Sequence, residues 1–175
     1  MSASATVRRL EESEWPTYRE LRLAALAESP DAFGSTLATE QGHTASDWAG
    51  RLAAGAASNL DLPLIAQVQG RAAGLAWAKV DASDTSLVNV YQMWVAPEFR
   101  GQGLGRLLLR AAVDWARARN ALAVCLSATC GDTPAMHLYT REGFKPAGQS
   151  EPLRPGSPLF AQPMRLHLSE RPWTE

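Results

Sequence analysis

The chain has 175 residues, 46% of them hydrophobic and 20% charged, the composition of one ordinary globular domain spanning residues 1–175. A chain of that length removes roughly 70% of its unfolded surface from water on folding, so its core needs neither disulfides nor a structural metal. With 17 basic against 18 acidic side chains the net charge is −1, which offers no global field to nucleic acid or an anionic membrane, so any affinity for phosphate must be local. The two cysteines, Cys125 and Cys130, make no disulfide framework, and the first ten residues lack the apolar core of a secretory signal. No window approaches the ~18 to 20 apolar residues that cross a bilayer. A reducing cytoplasm is the expected compartment.

A short first strand is expected over residues 5–10. Ser13, Glu14 and the apolar rhythm of Tyr18, Leu21, Ala25 and Leu26 then predict a capped helix, stopped at Ser29-Pro30. Residues 31–42 are polar and read as a loop, after which Ala45, Trp48, Leu52 and Ala53 predict a second helix ending near Gly55. The period then changes: residues 64–68 and 72–80 around Gln69-Gly70-Arg71 form a hairpin, and 87–95 a third strand closed by Pro97. Leu104, Leu108, Ala111, Trp115 and Ala118 mark one face of a long helix over about residues 103–120. Residues 121–127 read as a buried strand, 134–141 as a short helix with Pro134 in its first turn, and 144–148 and 160–168 as further strands, with 152–158 a loop. Strands before, beside and after the main helix predict an α/β (mixed α+β) single domain.

The segment Arg100-Gly101-Gln102-Gly103-Leu104-Gly105 joins a strand to the strongest helix. Its glycines let the backbone approach a ligand closely, and the free N–H groups of the following helix start form an anion site. The same glycines would equally serve a turn that only packs strand against helix. Two familiar phosphate motifs fail here. Gly105 is followed by Arg106-Leu107 rather than Lys-Ser/Thr, and a dinucleotide fingerprint would need glycine at position 106.

Val95, Pro97, Arg100, Gly103 and Gly105 instead resemble the acetyl-CoA loop of the GCN5-related N-acetyltransferases, an Arg/Gln-x-x-Gly-x-Gly/Ala pattern after a Val-x-Pro strand end. Residues 132–144, with Ala135, Leu138-Tyr139 and Gly143-Phe144, resemble that family's second signature, except that Asp132 stands where asparagine is usual. Leu21-Arg22, the run from Pro30 through Phe33-Gly34-Ser35, and Glu40 resemble a widespread bacterial branch. The resemblance implies a mixed, mostly antiparallel sheet of about seven strands flanked by about four helices. It further implies an acyltransferase that moves acetyl from acetyl-CoA to a primary amine of a small molecule, amino acid or peptide by direct attack in a ternary complex.

On this resemblance the strand before the loop splays from its neighbour. Backbone groups of Met93, Trp94 and Val95 bind the pantetheine arm, and the Met93 N–H faces the thioester oxygen. Arg100, Gly101, Gln102, Gly103, Leu104 and Gly105 bind the pyrophosphate; Arg106 is either a helper or a solvated helix charge. Asp132 and Ala135 join the cofactor site, and Tyr139 is the general acid, a phenol that keeps its proton at neutral pH. Phe33, Ser35, Glu40 and Tyr91 fall on the acceptor side. Asn89 replaces the glutamate base of some relatives, leaving Glu40, in an expected loop, or a water held by Tyr91.

His43, His137 and His167 share no metal-ligand spacing, so no metal is expected. Cys125 is expected to pack in its strand and Cys130 to lie near the thioester path. Asp31, Glu40 and Glu151 favour a cationic acceptor. A homodimer through residues 163–173 is consistent with the family. The competing reading is a catalytically weak acyl-CoA-binding module or sensor, with Asp132 and Asn89 the marks of a decayed acceptor side.

Overall fold

Residues 4–168 are described by the computed structural model. They form eight strands: β1 (Ala5–Arg9), β2 (Asp61–Val68), β3 (Arg71–Val80), β4 (Leu87–Val95), β5 (Ala123–Thr129), β6 (Lys145–Pro146), β7 (Glu151–Pro152) and β8 (Phe160–His167). The sheet order is β1-β2-β3-β4-β5-β8-β6, with β7 also on β8. Every pairing is antiparallel except β4 with β5. Five α-helices accompany the sheet: α1 (Trp15–Glu28), α2 (Leu37–Gln41), α3 (Ala45–Ala57), α4 (Leu104–Ala118) and α5 (Pro134–Arg141). None of these helices is long and apolar enough to cross a membrane.

The strongest local signals produce the expected elements. Gln69 and Gly70 both take positive φ, the geometry of a two-residue hairpin turn, so Arg71 already belongs to β3. The apolar stripe of α4 buries Leu104, Leu108, Leu109, Ala112 and Ala116. Because α1 and α3 cover one face of the sheet and α4 the other, β2 and β3 are buried at nearly every position. Tyr18 of α1 stands edge-on to Trp48 of α3 at 5.7 Å and beside Trp77 of β3 at 5.6 Å, closing that half of the core.

Several boundaries differ from the sequence expectation. The first helix begins at Trp15 after a 3-10 turn, and its entry is stabilised by a capping box between Glu11 and Glu14 rather than by Ser13. Part of the expected 31–42 loop is helical: Thr36 caps α2 by accepting the Thr39 N–H. The strand expected over 144–148 contracts to Lys145–Pro146, and the loop over 152–158 gives up its first residue to β7. With these two short strands and α2 counted, the described residues hold eight strands where about seven are expected and five α-helices where about four are, in the expected mixed, mostly antiparallel architecture. Both edges of β8 are engaged, by β5 on one side and by β6 and β7 on the other. On that second side β6 and β7 reach only Met164–Arg165 and Phe160–Ala161, so the pairing stops short of Leu166 and His167, and residues 169–173 of the expected dimer segment lie outside the described residues.

Candidate active site

A bulge in β4 opens the site. Between the pairs Trp77–Tyr91 and Leu75–Trp94, Gln92 and Met93 stand opposite the single residue Ala76. Gln92 takes φ +59°, unusual for a residue with a side chain, and its amide oxygen accepts the Tyr18 hydroxyl at 2.8 Å. The parallel pairing with β5 is confined to Leu87–Ala123, Val88–Val124 and Asn89–Cys125. Past that point the strands part around a cavity of about 770 Å³. Val90 to Met93 line one wall, Leu126 and Ser127 the other, and Tyr139 borders the same space.

After β4 the chain enters the glycine loop. Gly101 and Gly103 take φ of +79° and +80°, and a Cβ at either would meet nothing within 4 Å, so conformation rather than room demands glycine there. Gly105 is different: a Cβ would lie 3.2 Å from Leu138 Cδ2, so this glycine seats α4 against α5. The Leu107 N–H donates to the Gly103 carbonyl at 3.1 Å, which begins the helical ladder. Among the described residues the preceding N–H groups, 102–106, have no main-chain acceptor and sit at the positive end of a 15-residue helix. Leu104 buries its side chain and offers only its N–H.

The charged side chains of the loop engage neighbouring carboxylates. Arg100 donates to both oxygens of Glu28, at 2.8 and 3.2 Å, and to the Val95 carbonyl at 3.0 Å. The Trp94 indole, buried, donates to the same carboxylate at 2.9 Å. Hydrogen bonds from Arg100, then Ser29 and Trp94, hold the Glu28 carboxyl down to about 2. Sequence reasoning missed Glu28, which lies 72 residues from Arg100 in the chain. Arg106 pairs with Glu142 at 3.0 Å, and Arg110 takes the other oxygen of that carboxylate at 2.9 Å, tying α4 to the end of α5.

Tyr139 is 6% exposed, its ring 6.0 Å from that of Phe144. Burial pushes its phenol up to about 12. Thr133 caps α5 by accepting the Met136 N–H at 3.1 Å, and Pro134 occupies the first turn. Asp132, exposed in the preceding loop, pairs with His137, and Ala135 is exposed on the first turn of α5.

Phe33, Ser35 and Glu40 line the same cavity, together with Tyr91 of the β4 wall. Glu40 is not a solvated loop charge: it is buried in α2, accepting Ser35 Oγ at 3.0 Å on one oxygen and Arg51 at 2.9 Å on the other. Burial pushes its carboxyl up, but the bonds from Arg51 and Ser35 outweigh that, and the net shift is downward. A carboxylate so held is a weaker proton acceptor than the free base expected there. Asn89 donates its amide to Asp81 at 2.8 Å. Tyr91 is 50% exposed. Asp31 does not border the cavity although its neighbours Ala32 and Phe33 do, and of the two cysteines it is Cys125, not Cys130, that lines it. Among the described residues no three His, Cys, Asp or Glu side chains converge as a metal site would require.

Residues 7–144 match the model of the acetyltransferase (GNAT) family. Mycothiol acetyltransferase of Tsukamurella paurometabola is 38% identical over 105 residues, which are 58% of this chain and 34% of that protein. Streptothricin acetyltransferase of Streptomyces lavendulae is 44% identical over 63 residues, 36% of this chain and 33% of that one. The matches thus span about a third of the length of these two relatives. The Salmonella typhimurium protein yncA, solved with its cofactor acetyl-CoA, has the same fold, with a TM-score of 0.79 at 19% identity over 99% of both chains.

Proposed function

The chain belongs to the acetyltransferase (GNAT) family, and on that premise we propose that it moves an acetyl group from acetyl-CoA to a primary amine by direct attack in a ternary complex. The observation that carries this reading is the parting of β4 from β5 beyond Asn89 and Cys125, beside the unsatisfied N–H groups that begin α4, with Tyr139 on the wall. Acetyl-CoA would supply the acyl group already activated as a thioester. The N–H groups of residues 102–106 would hold the pyrophosphate, and Glu28, through Arg100 and Trp94, fixes the strand end and loop that present them. Backbone groups around Met93 and Val95, on the freed edge of β4, would grip the pantetheine arm. The Met93 N–H would face the carbonyl oxygen where negative charge grows.

Tyr139 keeps its proton at any physiological pH and borders the cavity, so its hydroxyl would hold that proton at the departing sulfur. Neither Asn89 nor the ion-paired Glu40 suits the role of base. The amine proton would leave to a water held by Tyr91 and the strand carbonyls, a route open to the neutral fraction of the amine. We assign Phe33-Gly34-Ser35 to the acceptor wall, in keeping with the bacterial branch it resembles. Two unpaired cysteines accord with a reducing cytoplasm. A homodimer through the end of β8 belongs to the same reading, and sedimentation velocity tests it.

The experiment is thiol release from acetyl-CoA against a panel of amines, with mass spectrometry of the products. Acetyl-CoA-dependent acetylation supports the transferase. The engaged side chains of Asn89 and Glu40 favour one other reading, a binding module, for which saturable acetyl-CoA binding without turnover is the signature.

A further inference from the structure

Arg22 of α1 borders the acceptor end of the cavity and is 4% exposed, yet its Nε and Nη1 are buried without a hydrogen-bond partner. What supports it from the protein is the face of Phe33, whose ring centre lies 4.8 Å from the guanidinium carbon. The acidic residue within its electrostatic reach, Glu40, has one oxygen bonded to Ser35 and the other to Arg51. One carboxylate therefore feels two guanidinium groups and is hydrogen-bonded to Arg51. Burial pushes the Arg22 guanidinium down from its ordinary range, yet an arginine keeps its proton in proteins and so cannot relieve the strain by losing it. A buried charge of that kind is costly until an anion reaches it. The remaining charge on the cavity wall points the same way: Arg165 of β8 also has its Nε buried without a partner, and against Arg22, Arg51 and Arg165 the lining offers only Glu40 and Glu151.

We propose that the acceptor is a small amine bearing its own carboxylate, or an equivalent oxyanion close to the amine, and that Arg22 binds that group. The proposal rests on the acetyl-transfer reading and narrows it. A guanidinium matches a carboxylate with two parallel N–H···O bonds, so the pairing would orient the amine as well as attract it. A peptide N-terminus places its terminal carboxylate far from its amine, and a polyamine has none, so both become poor acceptors. The cationic acceptor expected from Asp31, Glu40 and Glu151 is thereby narrowed to one that also carries an anion: Asp31 lies off the cavity and Glu40 is paired with Arg51, which leaves Glu151 of the three to face the amine.

The test compares free α-amino acids with their methyl esters and the corresponding decarboxylated amines. In the wild-type protein kcat/KM should be at least ~10-fold higher for the best acid than for its ester, about 1.4 kcal/mol of discrimination. Arg22→Met should erase that difference, and Arg22→Lys, which keeps the charge but not the fork, should retain part of it. Unchanged acetyl-CoA affinity confirms that each variant is folded. Equal or better turnover of esters or polyamines by the wild-type protein overturns the proposal, as does a preference that survives Arg22→Met. Titration of the same acids and esters by tryptophan fluorescence keeps the two readings apart. Carboxylate-dependent binding that Arg22→Met abolishes supports the anion site even if no amine is acetylated, whereas binding indifferent to the carboxylate overturns it.

Discussion

Replacing Tyr139 by phenylalanine deletes one oxygen and leaves the ring packed 6.0 Å from that of Phe144. The hydroxyl has no protein hydrogen bond among the described residues, so its loss orphans no partner, and the fold should change by less than ~1 kcal/mol. Chemistry should suffer far more. With the phenol at about 12 and a thiol at ~8.5, complete proton transfer to the sulfur is uphill by ~3.5 units, or ~5 kcal/mol. Tyr139 therefore acts by a hydrogen bond that strengthens as charge gathers on the leaving sulfur in a buried site, where such a bond counts for more than in water. Its removal should lower kcat by ~100-fold or more while the KM for acetyl-CoA stays within ~3-fold. Thiol release at saturating amine, with a thermal melt run in parallel, measures both. Because the phenol titrates near 12, the wild-type profile should show no Tyr139 limb between about pH 6 and 10. A loss of turnover under ~2-fold would remove the hydroxyl from the mechanism, and a melting temperature that falls in step with activity would show that the residue matters only for packing.

Gly103→Ala places a Cβ at φ +80° where nothing crowds it, so its cost is conformational, ~1 to 2 kcal/mol. Calorimetric titration should show weaker CoA binding as the α4 start shifts, and unaltered affinity would move the pyrophosphate elsewhere. Glu28→Gln breaks the tie among Arg100, Trp94 and α1. Since the folded pKa of Glu28 is about 2 against an ordinary value of 4.5, its contribution to stability is fully present above the ordinary value and is lost as pH falls through that interval. The variant should be less stable at neutral pH and should show a shallower acid limb in urea melts; an unchanged limb contradicts the assignment. Glu40→Gln should cost less than ~10-fold in kcat, and a fall beyond ~100-fold with loss of the acidic limb of the rate profile would restore Glu40 as the base.

What could be read from the residues in order was local. The stripe from Leu104 to Ala118 repeats with helical period for four turns, and Gln69-Gly70 between apolar runs spells its own hairpin, so α4 and the β2–β3 ribbon lay open to inspection. Tyr139 and the glycine loop were legible because each motif is contiguous. The five-residue α2 was not, since so short a helix has hardly more than one turn in which to show a period, and its cap at Thr36 looks like any loop threonine. Glu28 joins Arg100 across 72 residues, and Glu142 meets Arg106 and Arg110 only because α5 docks on α4. The roles of Glu40 and Arg22 depended on burial. A carboxylate in a polar stretch reads as solvated until the fold sets Arg51 against it, and an arginine on an amphipathic helix reads as surface until its nitrogens prove to be enclosed.

The most direct test of the central claim is a single incubation of the purified protein with acetyl-CoA and a mixture of free amino acids, in which released CoA thiol and acetylated amine are counted together. The account predicts equal amounts of the two, enzyme-dependent and lowered ~100-fold or more by Tyr139→Phe. Tight acetyl-CoA binding with neither product would contradict it and identify the chain as a binding module.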